Sequence, residues 1–148
     1  MKVAISTLLA EKEFSEIFSI NPEASVLDAV KEMNRRQVGS MLILDGGKIV
    51  GIFTERDVLR RVVVEGLAPA TTPVSEVMTK EVDTFPPDLS VDEAMAHMTA
   101  KRHRHIPVVE DDRILGMVSI GDVTRWLSKT FENEAQNLLN YFTGTYLE

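Results

Sequence analysis

Slid along itself, the 148-residue sequence brings its two halves into register at a shift of 65 residues, without a gap. Pro22 falls on Pro87, Ser25 on Ser90, Val26 on Val91, Ala29 on Ala94 and Met33 on Met98. Further on, Ile49 meets Ile114, Gly51 meets Gly116, Asp57 meets Asp122, Val58 meets Val123 and Arg60 meets Arg125. Pairs of like chemistry, such as Thr54 with Ser119 and Asp45 with Glu110, fill the spaces between. One shift that holds across the whole comparison marks a tandem duplication. The chain must therefore build one supersecondary unit twice.

The unit reads the same way in each copy. A short extended piece ends at Ile20, or Phe85 in the second copy, and Pro22 or Pro87 follows it. Ser25 and Ser90 stand as helix N-caps, with Asp28 and Glu93 at the third helical position in a capping-box arrangement. Val26, Ala29, Val30 and Met33 recur at helical spacing, as do Val91, Ala94, Met95 and Met98, so each helix buries one stripe. Two apolar runs then flank a turn: Met41–Leu44 and Ile49–Thr54 about Asp45-Gly46-Gly47, and Ile106–Val109 and Ile114–Ser119 about Glu110-Asp111-Asp112. Glycine supplies positive φ cheaply, so the Asp45-Gly46-Gly47 turn predicts a hairpin, and the second copy has Glu110-Asp111-Asp112 at the matching place. A second helix starts after Thr54 and closes at Gly66; its counterpart starts after Ser119 and runs through Trp126.

The expected fold is mixed α+β: two tandem strand-helix-strand-strand-helix repeats packed with pseudo-twofold symmetry. Residues 1–65 form the first repeat, 66–79 a linker with a short helix, 80–130 the second repeat and 131–148 a helical tail. Pro69 and Pro73 mark the linker. A unit of about 60 residues buries little surface alone, so the copies should pack face to face.

Composition removes several classes of function. With no cysteine there is no disulfide framework, thiolate metal site or cysteine nucleophile. A net charge of −7 speaks against a general nucleic-acid binder, which needs a basic surface. The apolar stretch from Val3 to Ala10 is broken by Glu11, Lys12 and Glu13, so neither a targeting segment nor a membrane span is expected. The expected setting is cytoplasmic. Gly-x-Ser-x-Gly, Walker-type and His-Glu-x-x-His motifs do not occur, and the chain reads as no enzyme.

The segments Gly51-Ile52-Phe53-Thr54-Glu55-Arg56-Asp57 and Gly116-Met117-Val118-Ser119-Ile120-Gly121-Asp122 carry a family likeness. The His105-Ile106-Pro107-Val108-Val109 strand and the Pro22-x-x-Ser25-Val26 start of the first helix strengthen it. Together they resemble the tandem cystathionine-β-synthase-type (CBS) domain pair, or Bateman module, across about residues 14 to 128. The resemblance implies an adenosine-containing ligand (AMP, ADP, ATP, NAD or S-adenosylmethionine type) in clefts between the repeats, and a homodimer. It implies that Asp57 and Asp122 accept hydrogen bonds from ribose hydroxyls, with Thr54 and Ser119 beside the sugar or phosphate. It places adenine against backbone and apolar groups near Ile20, Val38 and Met41, and near Phe85, His103 and Ile106.

Bland readings stand beside these. Thr54-x-x-Asp57 and Ser119-x-x-Asp122 are also helix-capping arrangements, and capping and ligand binding are compatible at one helix start. The cationic run Lys101-Arg102-His103-Arg104-His105 complements a helix C-terminus, but Arg104 or His105 could also meet a phosphate. Their counterparts Gly39 and Ser40 carry no charge. A metal at the His-x-His spacing is not favoured, because only His97 adds a third histidine. In the tail, Ala135, Leu138, Leu139 and Phe142 form an apolar stripe. It can pack on its own domain, on a neighbouring subunit or on a protein partner.

The functional expectation is a regulatory module with no required cofactor and an adenine nucleotide as regulatory ligand, binding neither nucleic acid nor membrane. Its alternative is an interaction or dimerisation module with a vestigial cleft, or a subunit acting inside a larger enzyme complex.

Overall fold

The computed structural model describes residues 3–12 and 17–144. The expected spans that reach 1–2, 13–16 and 145–148, including the start of the likeness near residue 14 and the tip of the tail, lie outside the described residues.

The elements run α1 (Ile5–Glu11), β1 (Ser19–Ile20), α2 (Val26–Arg36), β2 (Ser40–Asp45), β3 (Lys48–Thr54) and α3 (Glu55–Asp57), which continues as a π-helical stretch, Val58–Val63. They go on through α4 (Val74–Val77), α5 (Val91–Lys101), β4 (His105–Glu110), β5 (Arg113–Ser119) and α6 (Ile120–Thr143). The chain divides into two compact units. One is Glu16–Thr84 with Asp111–Arg113; the other is Met1–Ser15 with Phe85–Glu110 and Ile114–Glu148. We call them the first-repeat and second-repeat units.

In the first-repeat unit β1 lies parallel to β2, and β2 pairs antiparallel with β3 in the register Ser40 to Thr54. Gly46 and Gly47 turn the hairpin at φ +58° and +82°, the two positive values that a tight hairpin turn demands. Ser25 Oγ accepts from the Asp28 N–H at 3.0 Å and starts α2, which buries Val26, Ala29 and Met33. Gln37 in the left-handed conformation ends it, with the Val38 N–H returning to the Met33 carbonyl at 3.0 Å. That stripe meets Met41, Ile43 and Phe53 from the sheet and Val74, Val77 and Met78 from the α4 segment in one core.

The second-repeat unit repeats the plan. Ser90 Oγ accepts from the Glu93 N–H at 3.1 Å, and α5 buries Val91, Ala94 and Met98. β4 and β5 pair, and Phe85 adds a parallel bridge to Val108 in place of a full strand. The β4–β5 turn uses Asp111 and Asp112 at φ +48° and +63°. Aspartate tolerates these values better than most residues do.

The compact units are not the sequence spans on either side of residue 65. Helix α1 precedes the first repeat but packs in the second-repeat core, where Ile5 and Leu8 are buried with Phe85, Val118 and Val123. The α4 segment, placed by sequence in the linker, packs in the first-repeat core. The two leading segments make matching bonds. Val74 and Ser75 N–H donate to the Ala24 and Pro22 carbonyls at 2.8 and 3.1 Å; Ile5 and Ser6 N–H donate to the Leu89 and Pro87 carbonyls at 2.8 and 3.0 Å. The first-repeat unit is thus closed by the segment that follows it in sequence, and the second-repeat unit by one that precedes the first repeat. The reason is apolar burial: Ile5, Leu8 and Leu9 offer the stripe that Val74, Val77 and Met78 offer.

The helix after Ser119 runs through Trp126 as expected and continues into the tail without a break, 24 residues to Thr143, where Gly144 caps it at φ +69°. The tail stripe does not rest on its own domain. Leu138, Leu139 and Phe142 are exposed, as are Phe131 and Tyr141.

Candidate functional site

Each unit has a strand-to-helix junction built around an aspartate. Both junctions form complete capping boxes, so the bland reading of the motifs is realised. Thr54 Oγ1 accepts from the Asp57 N–H at 3.3 Å, and Asp57 Oδ2 accepts from the Thr54 N–H at 3.0 Å. In the second repeat Ser119 Oγ accepts from the Asp122 N–H at 3.1 Å, and Asp122 Oδ2 accepts from the Ser119 N–H at 2.9 Å. The turn is further fixed by the Glu55 N–H on the Gly39 carbonyl at 3.0 Å, and by the Ile120 N–H on the Arg104 carbonyl at 2.8 Å. These bonds tie each helix start to the loop before the preceding hairpin.

The aspartates are buried, at 6% exposure for Asp57 and 8% for Asp122. A buried carboxylate needs partners, and the leading segments supply some of them. The Thr79 hydroxyl donates to Asp57 Oδ1 at 3.2 Å, and Arg61 Nε stands 3.6 Å from the same oxygen. Arg61 is held there by donating to the Met78 carbonyl at 3.0 Å. On Asp122, Lys12 Nζ lies 2.9 Å from Oδ2, and Arg125 Nη1 lies 3.5 Å from Oδ1. Lys12 also donates to the Met117 carbonyl at 2.7 Å. Burial pushes the Asp122 carboxyl up, but Lys12 and the Ser119 N–H and hydroxyl outweigh it and hold the group below its ordinary value of 3.8.

The other expected site residues fall into two groups. Met41, Phe85 and Ile106 have their side chains in the cores, so only their backbone is available to a ligand. Phe85 also packs edge-on to His97, with ring centroids 5.4 Å apart. Ile20 and Val38 are half-buried against the first-repeat core. The Ser40–Thr54 register sets Val38 and Met41 at the same end of the hairpin as Thr54 and Asp57. In the second repeat His103 and Arg104 are exposed between α5 and β4, and His105 is half-buried at the start of β4. The Arg104–Ile120 bond brings this loop to the Ser119–Asp122 junction.

A cavity of about 420 Å³ opens in the second-repeat unit between α1 and the head of α6. Lys12, Asp122 and Arg125 line it, with Trp126 and Lys129 one face further along the helix and Leu8 and Glu11 opposite. Lys12, Thr79 and Arg61 were not among the sequence candidates. A signal for the leading segments was present: Val3-Ala4-Ile5-Ser6-x-x-Leu9 matches Thr72-Pro73-Val74-Ser75-x-x-Met78, but at a shift of 69. The 65-residue register passes over it.

Two copies of this unit, each with a capped aspartate at the strand-to-helix junction, define a tandem CBS-type module. The CBS domain profile matches residues 12–64 and again 74–129, and the chain belongs to the CBS domain family. It is 42% identical over 127 residues to the CBS domain-containing protein CBSX3, mitochondrial, of Arabidopsis thaliana, covering 82% of this chain and 62% of that protein's length. A CBS-domain protein of Burkholderia ambifaria superposes with a TM-score of 0.82 at 36% identity, covering 84% of this chain and 93% of that one. The CBS domain pair of MJ0100, solved with 5′-methylthioadenosine and S-adenosyl-L-methionine, superposes with a TM-score of 0.73 at 24% identity, covering 84% and 99%, a likeness of fold. No helix among the described residues is long and apolar enough to cross a membrane.

Proposed function

We propose that this chain is a non-catalytic regulatory module that binds an adenosine-containing ligand at its strand-to-helix junctions. The observation that carries the reading is the duplicated buried aspartate, Asp57 and Asp122, each fixed by a reciprocal cap. A capped carboxylate is rigid, and its two oxygens have lone pairs beyond those used by the cap, which suits a vicinal diol such as ribose. Helix starts beside it offer N–H groups to a phosphate. The fold shared with the MJ0100 pair accords with adenosine compounds; the assignment here rests on the aspartates and on the family. Thermal unfolding with AMP, ADP, ATP, NAD and S-adenosylmethionine tests it. At 100-fold excess over Kd a ligand contributes roughly 2.7 kcal/mol, a rise of about 5–10 °C for a chain of this size. A midpoint unmoved by all five at millimolar concentration would replace this reading with that of an interaction module.

The second element of the proposal is self-association through the exposed end of α6. Phe131, Leu138, Leu139, Tyr141 and Phe142 are each more than half exposed. With about 150–250 Å² for an aromatic side chain, they present on the order of 600 Å² of apolar surface. A standard interface buries about 800 Å² per partner, so a second copy of this helix is the occupant the area fits. Phe131, Ala135, Leu138 and Phe142 follow the four-three-four spacing of a helix-pairing seam.

A further inference from the structure

We propose that His97 and His103, joined by the carboxylate of Asp83, form a site for a divalent transition-metal cation, with Zn²⁺ the ion their donor set suits. All three residues lie in the second CBS stretch, 74–129, and the proposal does not depend on the nucleotide reading.

Three segments deliver the ligands. His97 lies in the second half of α5, where its ring meets Phe85 edge-on at 5.4 Å. Arg102 then ends the helix in the left-handed conformation, at φ +57°, and that reversal turns His103 back toward the helix it has just left. Asp83 stands two residues ahead of Phe85 in the chain. Phe85 is fixed to β4 by its own N–H on the Pro107 carbonyl and by the Val109 N–H on the Phe85 carbonyl, both at 2.9 Å. One ligand atom from each of the three side chains lies within 4.8 Å of the other two. Zinc binds imidazole nitrogen and carboxylate oxygen at about 2.0–2.2 Å, so its ligands stand about 3–3.5 Å apart, a closure that side-chain rotation supplies. Two imidazoles and a carboxylate suit zinc and its neighbours in the first transition row, whereas magnesium and calcium favour all-oxygen sets. The grouping is not the His103-x-His105 spacing weighed in the sequence. His97 joins His103 because the left-handed residue between them, and not a strand period, sets the approach.

The first repeat meets the same need with a charge of its own. At the 65-residue shift Asp83, His97 and His103 fall on Phe18, Glu32 and Val38. There Arg36 Nε lies 2.9 Å from the Glu32 carboxylate, and the guanidinium carbon lies 4.4 Å from the centre of the Phe18 ring. A built-in cation thus spans the two positions that match His97 and Asp83. The residue matching Arg36 is Lys101, whose side chain is exposed. Where one repeat carries a guanidinium, the other carries metal ligands.

Zn²⁺ titration of chelator-treated protein tests the proposal, read by calorimetry, thermal unfolding and NMR of the three histidine rings. One equivalent should bind, shifting the rings of His97 and His103 and leaving that of His105 in place. Mg²⁺ at the same concentration should move none of them. At 100-fold excess over its Kd, Zn²⁺ should raise the melting point by about 5–10 °C. His103→Ala and Asp83→Asn should each weaken Zn²⁺ by at least about 10-fold, since loss of a mere supporting partner already costs that much. Cooperative unfolding without metal shows which variants are folded, and Asp83→Asn, which keeps its shape, carries the test if His103→Ala does not fold. The proposal is overturned if no ring shifts, if His105 moves together with His103, or if the folded variants bind Zn²⁺ as the wild type does. The three side chains would then be a polar cluster and no more. Adenosine binding is read in a separate titration, so failure here and failure of the nucleotide reading are distinguished.

Discussion

Lys12 Nζ sits 2.9 Å from Asp122 Oδ2 and 2.7 Å from the Met117 carbonyl, so one side chain from the start of the chain ties the end of β5 to the head of α6. The equivalent tie in the other unit is Thr79, whose hydroxyl reaches Asp57 at 3.2 Å and whose backbone bonds both ways with Ile52 at 2.9 Å. In both units the aspartate is set by three things: its own cap, its helix and a closing segment, which follows the first repeat in sequence for Asp57 and precedes it for Asp122.

Lys12→Met should destabilise the second-repeat unit, and the loss should depend on pH. Asp122 has its folded value held below 3.8, so its contribution is present above that value and is lost as pH falls through the folded one. Without Lys12 the burial remains and its main compensation goes. Urea unfolding should show a loss of about 1–3 kcal/mol near neutral pH, since a hydrogen bond to a charged group is involved. The gap should narrow as pH is taken below 3.8 and through the folded value. An equal gap at both pH values would mean that Lys12 acts only through the packing of its alkyl chain.

Asp57→Ala and Asp122→Ala should each cost about 1–2 kcal/mol of stability, the typical range for loss of a cap. Both should weaken adenosine and AMP alike, by about 10-fold, because ribose is common to the two. Asp→Asn keeps an acceptor for the Thr54 or Ser119 N–H and should recover part of the stability. Calorimetry with paired denaturation curves reads both effects. Full-strength adenosine binding in a folded Asp→Ala variant would reduce the aspartates to caps.

Gly51 and Gly116 should differ in their tolerance of alanine. A Cβ on Gly51 would land inside Met78 Sδ and Cγ and 3.1 Å from the Thr79 carbonyl oxygen, which belongs to a backbone bridge. A Cβ on Gly116 would meet only the Leu9 side chain, at 3.0 Å. Gly51→Ala should cost about 1–3 kcal/mol, as overpacking does, and Gly116→Ala clearly less. Equal melting points for the two variants would contradict the seating of the leading segments over these glycines.

Charge on the exposed end of α6 should abolish self-association. Phe142 is 78% exposed and Leu138 56%, so Leu138→Glu with Phe142→Glu removes apolar surface without opening a core. Light scattering at micromolar concentration should give a multiple of 16.5 kDa for the wild type and 16.5 kDa for the variant, with helicity by circular dichroism unchanged. A wild-type mass of 16.5 kDa would leave the stripe without the partner proposed for it.

The sequence by itself determined the repeating unit. The caps at Ser25 and Ser90, the stripes on α2 and α5, the hairpins and the capped aspartates all follow from spacings within about ten residues, where propensity and periodicity act. It also determined the family, because two in-register copies of those spacings are present. Only the tertiary structure decided which leading segment closes which unit, and hence that Lys12 serves Asp122 while Thr79 serves Asp57. That choice is made by burying Ile5 and Leu8 in one core and Val74 and Val77 in the other, between positions far apart in the chain. Burial of apolar area has no sequence period. The apolar stripe on α6 shows the same division: its period predicted a helix, but that helix continues unbroken from Ile120 and carries the stripe beyond any core that could cover it.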